Sequence, residues 1–339
     1  MNIILIFLGS THKRKLRNIG YYHGYKGYRF IKHPGRKIPY TDFNQILSVN
    51  TFDMNLKALF YPQVIFIETC IKNYVLEIIL EHGKTDSFEM IYESLLTNYK
   101  SYAVGSTNYK KELNKRLNLR NKFYGTLSRD YSSNKQVVQY FYHQDRPVPI
   151  WSIFEVIDLG AFGTFVSCLN QNIKHDISKS LGLNQGFDSD GKMTETIIFL
   201  VKDLRNSIAH NDVIFDTRFK SSSPKNSLKL ALTNDTGINN ITFDTIVDYL
   251  ILLIFIQKQV CVSKAELSKI VSTFENSINH LVPFSASLQL WFFILKSLVW
   301  IGRIVLPNSL ILLSVCFYQL ITICPKQCGK SNSSLSPLR

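Results

Sequence analysis

The chain has 339 residues, of which 45% are hydrophobic and 19% are charged. This balance excludes a disordered chain and leaves room for one large domain or two smaller ones. The net charge of +14 favours an anionic partner, such as nucleic acid or a lipid surface. The six cysteines include no C-x-x-C pair, which argues against a disulfide scaffold or a zinc ribbon and indicates a reducing compartment.

The positive charge is concentrated in three stretches. Residues 1–41 hold nine Lys and Arg and no acid, residues 100–129 hold eight with Glu112 as the sole acid, and residues 276–339 hold five and no acid. The rest of the chain is therefore net acidic. Such local charge fits either a binding patch for an anion or a solvated basic surface, and charge alone does not separate the two.

The chain begins with an apolar stretch, residues 3–8, which the basic residues 13–15 follow. An export signal has the reverse order, with its positive charge before the apolar run. No export is therefore predicted, and we expect a cytoplasmic protein. The stretch itself is interpreted as a buried first strand or helix, or as the result of a misassigned start.

Apolar residues then recur at helical spacing through most of the chain. Pro62 marks a kink or a late start in the first long helix, and Asp86 is positioned to cap the second. Gly160 and Gly163 interrupt the fourth helix or permit close helix contact there. The polar segment 221–240 is expected to be a loop. The predicted helices span residues 54–81, 86–99, 108–131, 149–166, 194–211 and 246–260.

No stretch alternates apolar and polar residues as a half-buried strand does. The predicted fold class is therefore all-α, a helical bundle with inserted helical segments. We divide the chain into a basic Tyr/Gly-rich segment (1–50), a helical domain (51–280) and an apolar C-terminal segment with a polar tail (281–339).

The most informative helix ends with the sequence K-D-L-R-N-S-I-A-H-N, residues 202–211. At about 100° per residue, its Ile, Leu and Val side chains form one core stripe. Asn206 and His210 fall on the opposite side, and Arg205 lies at the edge of the stripe, about 140° from His210. The helix therefore presents Arg, Asn and His to solvent or to a partner. The alternative is an ordinary polar helix face, since Arg and His at this spacing recur by chance.

Arg205 and His210 match the R-x4-H pattern of HEPN-domain proteins, and the chain resembles the abortive-infection (Abi) proteins of the AbiD/AbiF type. Four further stretches carry this resemblance in the family's order, and together they cover residues 15–265. They are a Tyr/Gly-rich opening over 18–30, F-D-M-N-L-K over 52–57 where the family has F-D-x-x-L-R, Ile67-Glu68, and a P-x-W-x-x-x-E segment over 149–155 followed by Gly160 and Gly163.

The resemblance implies a HEPN-like bundle and a metal-independent endoribonuclease that needs no cofactor. HEPN nucleases dimerise, and their two R-x4-H motifs face one shared cleft. By this resemblance His210 is the acid or base, Arg205 the electrostatic stabiliser of the phosphorane, and Asn206 the orienting residue. The expected substrate is RNA, whether tRNA, rRNA or mRNA. An antitoxin or a phage-encoded trigger is the expected regulator.

Residues 20–30 interleave aromatic and basic side chains, a pattern that suits single-stranded RNA through stacking and phosphate contact. We take Tyr25, Lys26, Tyr28 and Arg29 as candidate RNA contacts, together with Lys202 from the motif helix. The alternative is that the tyrosines pack onto the bundle, and this alternative is slightly favoured.

Glu68 lies on an otherwise apolar helix and has Lys72 one turn later, in the favourable order for an ion pair. The pair is the preferred interpretation. The alternative is that Glu68 points into the cleft of the candidate site.

Residues 288–324 carry the main competing interpretation. Residues 304–324 hold no charge, and a membrane span needs about 20 apolar residues. A span or a re-entrant pair therefore competes with two helices buried on the bundle or at a dimer interface, and the polar residues inside the segment disfavour the membrane. The functional alternatives to a nuclease are a non-catalytic RNA-binding or partner-binding module and a toxin that acts on membranes through this segment.

Overall fold

The computed structural model of the chain describes residues 9–183, 186–221 and 223–281. Within these ranges the chain forms twelve α-helices and no strand, which confirms the all-α prediction. The helices are α1 (Ser10–Ile19), α2 (Phe43–Gly83), α3 (Phe88–Ser94), α4 (Thr107–Ser132), α5 (Gln136–Tyr142), α6 (Ile150–Val156), α7 (Leu159–Cys168), α8 (Gln171–Ser180), α9 (Met193–Ala209), α10 (Asn226–Thr236), α11 (Ile246–Gln259) and α12 (Lys264–Leu281).

Helix α2 is the centre of the bundle. Its buried side chains recur every three or four residues from Phe43 to Ile79, so one stripe of the helix faces the core along its length. At about 1.5 Å per residue, a helix of this length measures about 60 Å. Helices α8, α9, α11 and α12 all pack against it. The apolar spacing extends back to Phe43, so the predicted start at residue 54 is wrong and Pro62 lies inside the helix.

Three predicted helices, 108–131, 194–211 and 246–260, correspond to α4, α9 and α11 to within two residues at each end. Every residue of α11 from Ile246 to Gln257 is buried. A helix that is apolar on all sides is stable only inside a protein, and α11 fills the space beside α2.

The segment predicted as one helix from residue 149 forms two helices, α6 and α7. Asp158 separates them, because its Oδ1 accepts a hydrogen bond from the N–H of Ala161 at 2.8 Å and so caps α7. The close helix contact expected at the glycines is confirmed at Gly163. A Cβ atom there would lie 3.0 Å from Cγ2 of Ile198 on α9.

The predicted helix 86–99 is shorter than expected. Ser87, and not Asp86, is its N-cap, since the Ser87 Oγ accepts from the N–H of Met90 at 3.5 Å. Helix α3 then ends at Ser94, before the predicted end at Tyr99.

The predicted loop 221–240 contains α10, and the prediction is wrong at this point. Leu228, Ala231 and Leu232 are spaced three and four residues apart, share one face and are buried. Gly237 ends the helix with a φ of 68°, a conformation that glycine adopts readily. These apolar residues are few among polar ones, but they suffice to hold one helical face on the core.

The predicted apolar segments 3–8 and 288–324 lie outside the described residues. In the part of the chain that the structure describes, no helix combines the length and the apolar character needed to cross a membrane.

Lys174 on α8 is buried, with 2% of its surface exposed. Its Nζ donates to the carbonyl oxygen of Ser167 at 2.7 Å and lies 3.3 Å from Oδ1 of Asn98. Burial lowers the pKa of Lys174 to about 8, because the charged ammonium group loses hydration. The side chain thus joins α7 and α8 at the expense of its positive charge.

This burial predicts a pH dependence of stability. Above pH 8 the folded lysine is neutral while the unfolded lysine still binds a proton, so unfolding takes up a proton and the free energy of unfolding rises with pH. In Lys174→Met this contribution is absent, and the difference in unfolding free energy between the native chain and the variant should change by about 2 kcal/mol between pH 8 and pH 10.

Urea unfolding at the two pH values measures this difference. Lys179→Met is the matched control, because Lys179 lies on the same helix and is exposed; it should keep the native pH dependence. If Lys174→Met kept it as well, Lys174 would not titrate as proposed.

Candidate functional site

Helix α9 carries the candidate site, which we define as Arg205, Asn206 and His210. The apolar residues of α9 are buried against α2 and α7, so its polar face turns outward. Arg205 and Asn206 are partly exposed on this face, and His210 is exposed immediately after the helix. The sequence-based interpretation that the helix presents its polar residues away from the core agrees with this placement.

His210 is held by the end of the helix. Its N–H donates to the carbonyl oxygen of Asn206 at 2.9 Å, and Asn211 then turns the chain out of the helix with a φ of 57°. Among the described residues, no hydrogen bond to the His210 imidazole is found. Its backbone is thus fixed while its ring is accessible to a substrate.

Arg205 lies between Asn206 and Glu68. Its Nη1 donates to Oδ1 of Asn206 at 3.4 Å, and its Nε is 3.8 Å from Oε2 of Glu68 on α2. The Arg205 side chain keeps 38% of its surface exposed, so its guanidinium still has donors for another anion. No hydrogen bond joins the side chains of Arg205 and His210 within the described part of the chain.

Glu68 faces two cations. Its Oε1 accepts from Nζ of Lys72 at 3.0 Å, which confirms the predicted pair, and Lys72 also donates to the carbonyl oxygen of Ile157 at 3.3 Å. The carboxylate is 14% exposed and its second oxygen faces Arg205. Glu68 therefore pairs with Lys72 and also lies beside Arg205, while its orientation into a cleft stays a prediction.

A buried carboxylate, Asp53 on α2, holds the chain that follows the site. Asp53 is fully buried, and its Oδ1 accepts from the N–H of Ile214 at 2.9 Å and of Phe215 at 2.8 Å. Its Oδ2 accepts from the hydroxyl of Tyr28 at 2.9 Å and pairs with Nζ of Lys57 at 2.9 Å. One side chain thus joins α2, the N-terminal segment and the loop after α9; we call it the Asp53 hub.

The hub reaches the residue next to His210. Nζ of Lys57, one turn after Asp53, donates to Oδ1 of Asn211 at 2.8 Å. The F-D-x-x-L-K stretch, which the sequence indicated only through its resemblance, therefore fixes the position at which α9 ends. Its role was missed because the partners are 154 to 162 residues away along the chain.

A second clamp holds the N-terminal segment against the same loop. Arg218 pairs with Asp216 at 2.7 Å, and its guanidinium donates to the carbonyl oxygens of Gly27 and Phe30, each at 2.9 Å. It also lies 4.3 Å from the centre of the Phe30 ring. The Tyr/Gly-rich segment is thereby docked beside the Asp53 hub.

Docking places the predicted RNA contacts in two different environments. Tyr25 and Tyr28 are buried, with 0% and 2% of their surface exposed. Stacking on an RNA base is not available to these two rings, and the alternative that they pack onto the bundle is confirmed. Burial raises the pKa of the Tyr28 hydroxyl far above its usual range, as does the Asp53 carboxylate that accepts its hydrogen bond.

The predicted cations remain accessible to different degrees. Lys26 is exposed and Arg29 partly so. Nζ of Lys26 lies 5.3 Å and 5.6 Å from the ring centres of Tyr21 and Tyr22, the exposed rings of this stretch. Lys202 is paired with the neighbouring Asp203 at 2.9 Å.

No group of three or more His, Cys, Asp or Glu among residues 9–183, 186–221 and 223–281 could hold a metal ion.

The chain is thus an all-α bundle whose basic N-terminal segment docks beside the loop after α9. The chain belongs to the family of Abi-like proteins, whose model matches residues 14–216, more than half of the chain. This range contains the Asp53 hub, Glu68 and the candidate site. The membership supports a role in abortive infection. No curated protein and no solved structure matches the chain.

The hub predicts a large loss of stability in Asp53→Ala. This change leaves Lys57 buried without a carboxylate and removes the acceptor of three further donors, so the free energy of unfolding should fall by about 3–5 kcal/mol. Urea unfolding provides the measurement.

Asp176→Ala is the control, since Asp176 pairs with His82 at 2.9 Å but both side chains are at least 36% exposed. It should cost about 1 kcal/mol or less. Equal losses in the two variants would contradict the hub's role.

Proposed function

We propose that the chain is a metal-independent endoribonuclease of the HEPN type, related to the AbiD/AbiF proteins, that cleaves RNA upon infection and arrests growth. One observation carries the proposal: Arg205, Asn206 and His210 all reach the surface at the end of one helix, inside the range that matches the family. RNA fits the positive net charge of the chain, +14.

The proposed reaction is attack of an RNA 2′-hydroxyl on the adjacent phosphate. His210 takes the proton of the hydroxyl while water protonates the leaving 5′ oxygen, or a protonated His210 gives that proton while water accepts the first; histidine is suited to both roles near neutral pH. The phosphorus–5′ oxygen bond breaks as the new phosphorus–2′ oxygen bond forms, and the products are a 2′,3′-cyclic phosphate and a 5′-hydroxyl end. Arg205 stabilises the charge on the phosphorane, and Asn206 orients the phosphate.

Glu68 is the positioning residue in this scheme. The Glu68 carboxylate lies 3.8 Å from the Arg205 Nε and so holds the guanidinium beside α2. This contact does not occupy all of the guanidinium donors. Nη2, and the Nη1 hydrogen that Asn206 does not accept, are then left for the substrate phosphate.

A homodimer completes the proposal. No hydrogen bond joins the side chains of Arg205 and His210 within the described part of one chain, and two copies that face each other would combine the Arg205 of one with the His210 of the other. An antitoxin or a phage-encoded trigger would regulate such a dimer.

We expect purified protein to cleave bulk tRNA or ribosomal RNA in EDTA and to leave 2′,3′-cyclic phosphate ends. His210→Ala should reduce the cleavage rate by about 10²- to 10⁴-fold, because it removes the proton-transfer group. His143→Ala is the matched control: His143 is exposed and caps α5, with its N–H 2.9 Å from the carbonyl oxygen four residues earlier, as in His210.

Equal cleavage by the native chain and by His210→Ala would overturn the assignment. RNA affinity without cleavage in the presence of infected-cell extract would instead identify a non-catalytic RNA-binding module.

The role of Glu68 predicts a non-additive pair of variants. Glu68→Gln should lower cleavage about tenfold through misplacement of the guanidinium, and Arg205→Ala by about 10²- to 10³-fold. In the double variant the rate should equal that of Arg205→Ala alone, since Glu68 acts through Arg205. Glu77→Gln, an exposed change on the same helix, is the control. Multiplied losses in the double variant would show that Glu68 acts independently.

A further inference from the structure

A cavity of about 210 Å³ lies beside the N-terminal segment, apart from the candidate site. Its walls combine two cationic side chains with aromatic and aliphatic ones, and they include no acid. The lining residues are Tyr25, Arg29, Lys37, Ile38, Pro39, Tyr40 and Ile46.

A backbone bridge joins the two segments that carry these cations. Phe30 and Lys37 form an antiparallel bridge, and the N–H of Ile38 donates to the carbonyl oxygen of Arg29 at 2.9 Å. The two segments joined by this bridge carry Arg29 and Lys37, and both side chains line the cavity. Tyr40 is fixed as well, since its hydroxyl donates to the carbonyl oxygen of Tyr28 at 2.8 Å.

The charges of the two cations are not neutralised by the protein. Within the described residues neither Arg29 nor Lys37 forms an ion pair. The nearby cations differ in this respect: Lys32 pairs with Asp244 at 3.3 Å, and Arg218 with Asp216 at 2.7 Å.

Helix α2 borders the cavity with its N-terminal part. Ile46, one of the lining residues, lies in the first turns of α2, and that helix has no acid in its first turn. Asp42, the N-cap, is the closest acid along the chain, and its Oδ2 accepts from Nδ2 of Asn44 at 2.7 Å. The N-terminal part of α2 thus borders the cavity through Ile46, with the Asp42 carboxylate at its cap.

We propose that this cavity binds the pyrophosphate group of a small phosphorylated ligand. Nucleoside diphosphates and triphosphates carry such a group. The Arg29 guanidinium offers the planar fork that matches phosphate oxygens, and Lys37 adds a second positive charge. A volume of about 210 Å³ is below the roughly 300 Å³ at which pockets for whole drug-sized ligands begin. The cavity therefore holds the phosphates while the rest of the ligand stays outside it.

The site is connected to the candidate site through contacts already described. Tyr28 lies in the same turn as Arg29 and donates to Asp53, and the Asp53 hub reaches Asn211 through Lys57. A ligand at the cavity would stabilise the segment that holds the end of α9. This consequence for activity rests on the proposed nuclease function, whereas binding itself does not.

Isothermal titration of the full chain with sodium pyrophosphate, and separately with ATP, tests the site without any need for nuclease activity. Arg29→Gln and Lys37→Gln should each weaken pyrophosphate binding about tenfold, because each replaces a charged contact with a shorter neutral amide. Arg36→Gln is the matched control, since Arg36 precedes Lys37 in the chain, is exposed and does not line the cavity; it should leave the affinity unchanged.

Three results would overturn the proposal. One is the absence of pyrophosphate binding by the native chain, and another is an equal loss in the Arg36→Gln control. The third is that an uncleavable 2′-O-methyl RNA binds, that its binding depends on Arg29 and Lys37, and that pyrophosphate does not bind. This result would assign the two cations to an RNA backbone. Circular dichroism of each variant separates a lost contact from a lost fold.

Discussion

A single buried carboxylate holds three distant parts of this chain in place. Asp53 accepts hydrogen bonds from the N-terminal segment and from the loop after α9, and it pairs with Lys57 on its own helix. A buried charge is tolerated only when such partners surround it. Removing any of these segments from Asp53 would leave the buried charge with fewer partners and cost free energy. The segments are therefore expected to become ordered together. The position of His210 depends on this arrangement, because Lys57 binds the residue that follows it.

The site itself is built with less burial. Arg205 lies on α9 and His210 directly after it, and the two side chains are exposed to different extents. The apolar side of α9 is packed on the bundle, and Glu68 on α2 restrains the Arg205 guanidinium. Rigid support beneath accessible groups is what a catalytic or binding site requires, because groups that are already oriented lose little freedom when a ligand arrives. The Tyr/Gly-rich segment follows the same logic: its buried tyrosines hold it down while its cations stay outside.

Periodicity allowed the helices with a continuous apolar stripe to be predicted, and α9 and α11 are where the sequence places them. It failed at α10, where only Leu228, Ala231 and Leu232 mark the buried face. The outward placement of Arg205, Asn206 and His210 follows from helical geometry alone. The Asp53 hub does not, because its partners come from segments that meet only after folding. The burial of Tyr25 and Tyr28 likewise depends on that meeting, and composition alone suggested an RNA-facing surface.

Helix α2 also sets the position of α9 along its length. Its Lys57 binds Asn211 and its Glu68 faces Arg205, so α2 and α9 run in opposite directions past each other at these contacts. The two points on α2 are about 16 Å apart by helical rise, with no loop between them. Pro62 lies between them and removes one backbone hydrogen bond from the helix. A change in the bend of α2 at this proline would alter the spacing of the two contacts, and with it the seating of α9 on α2.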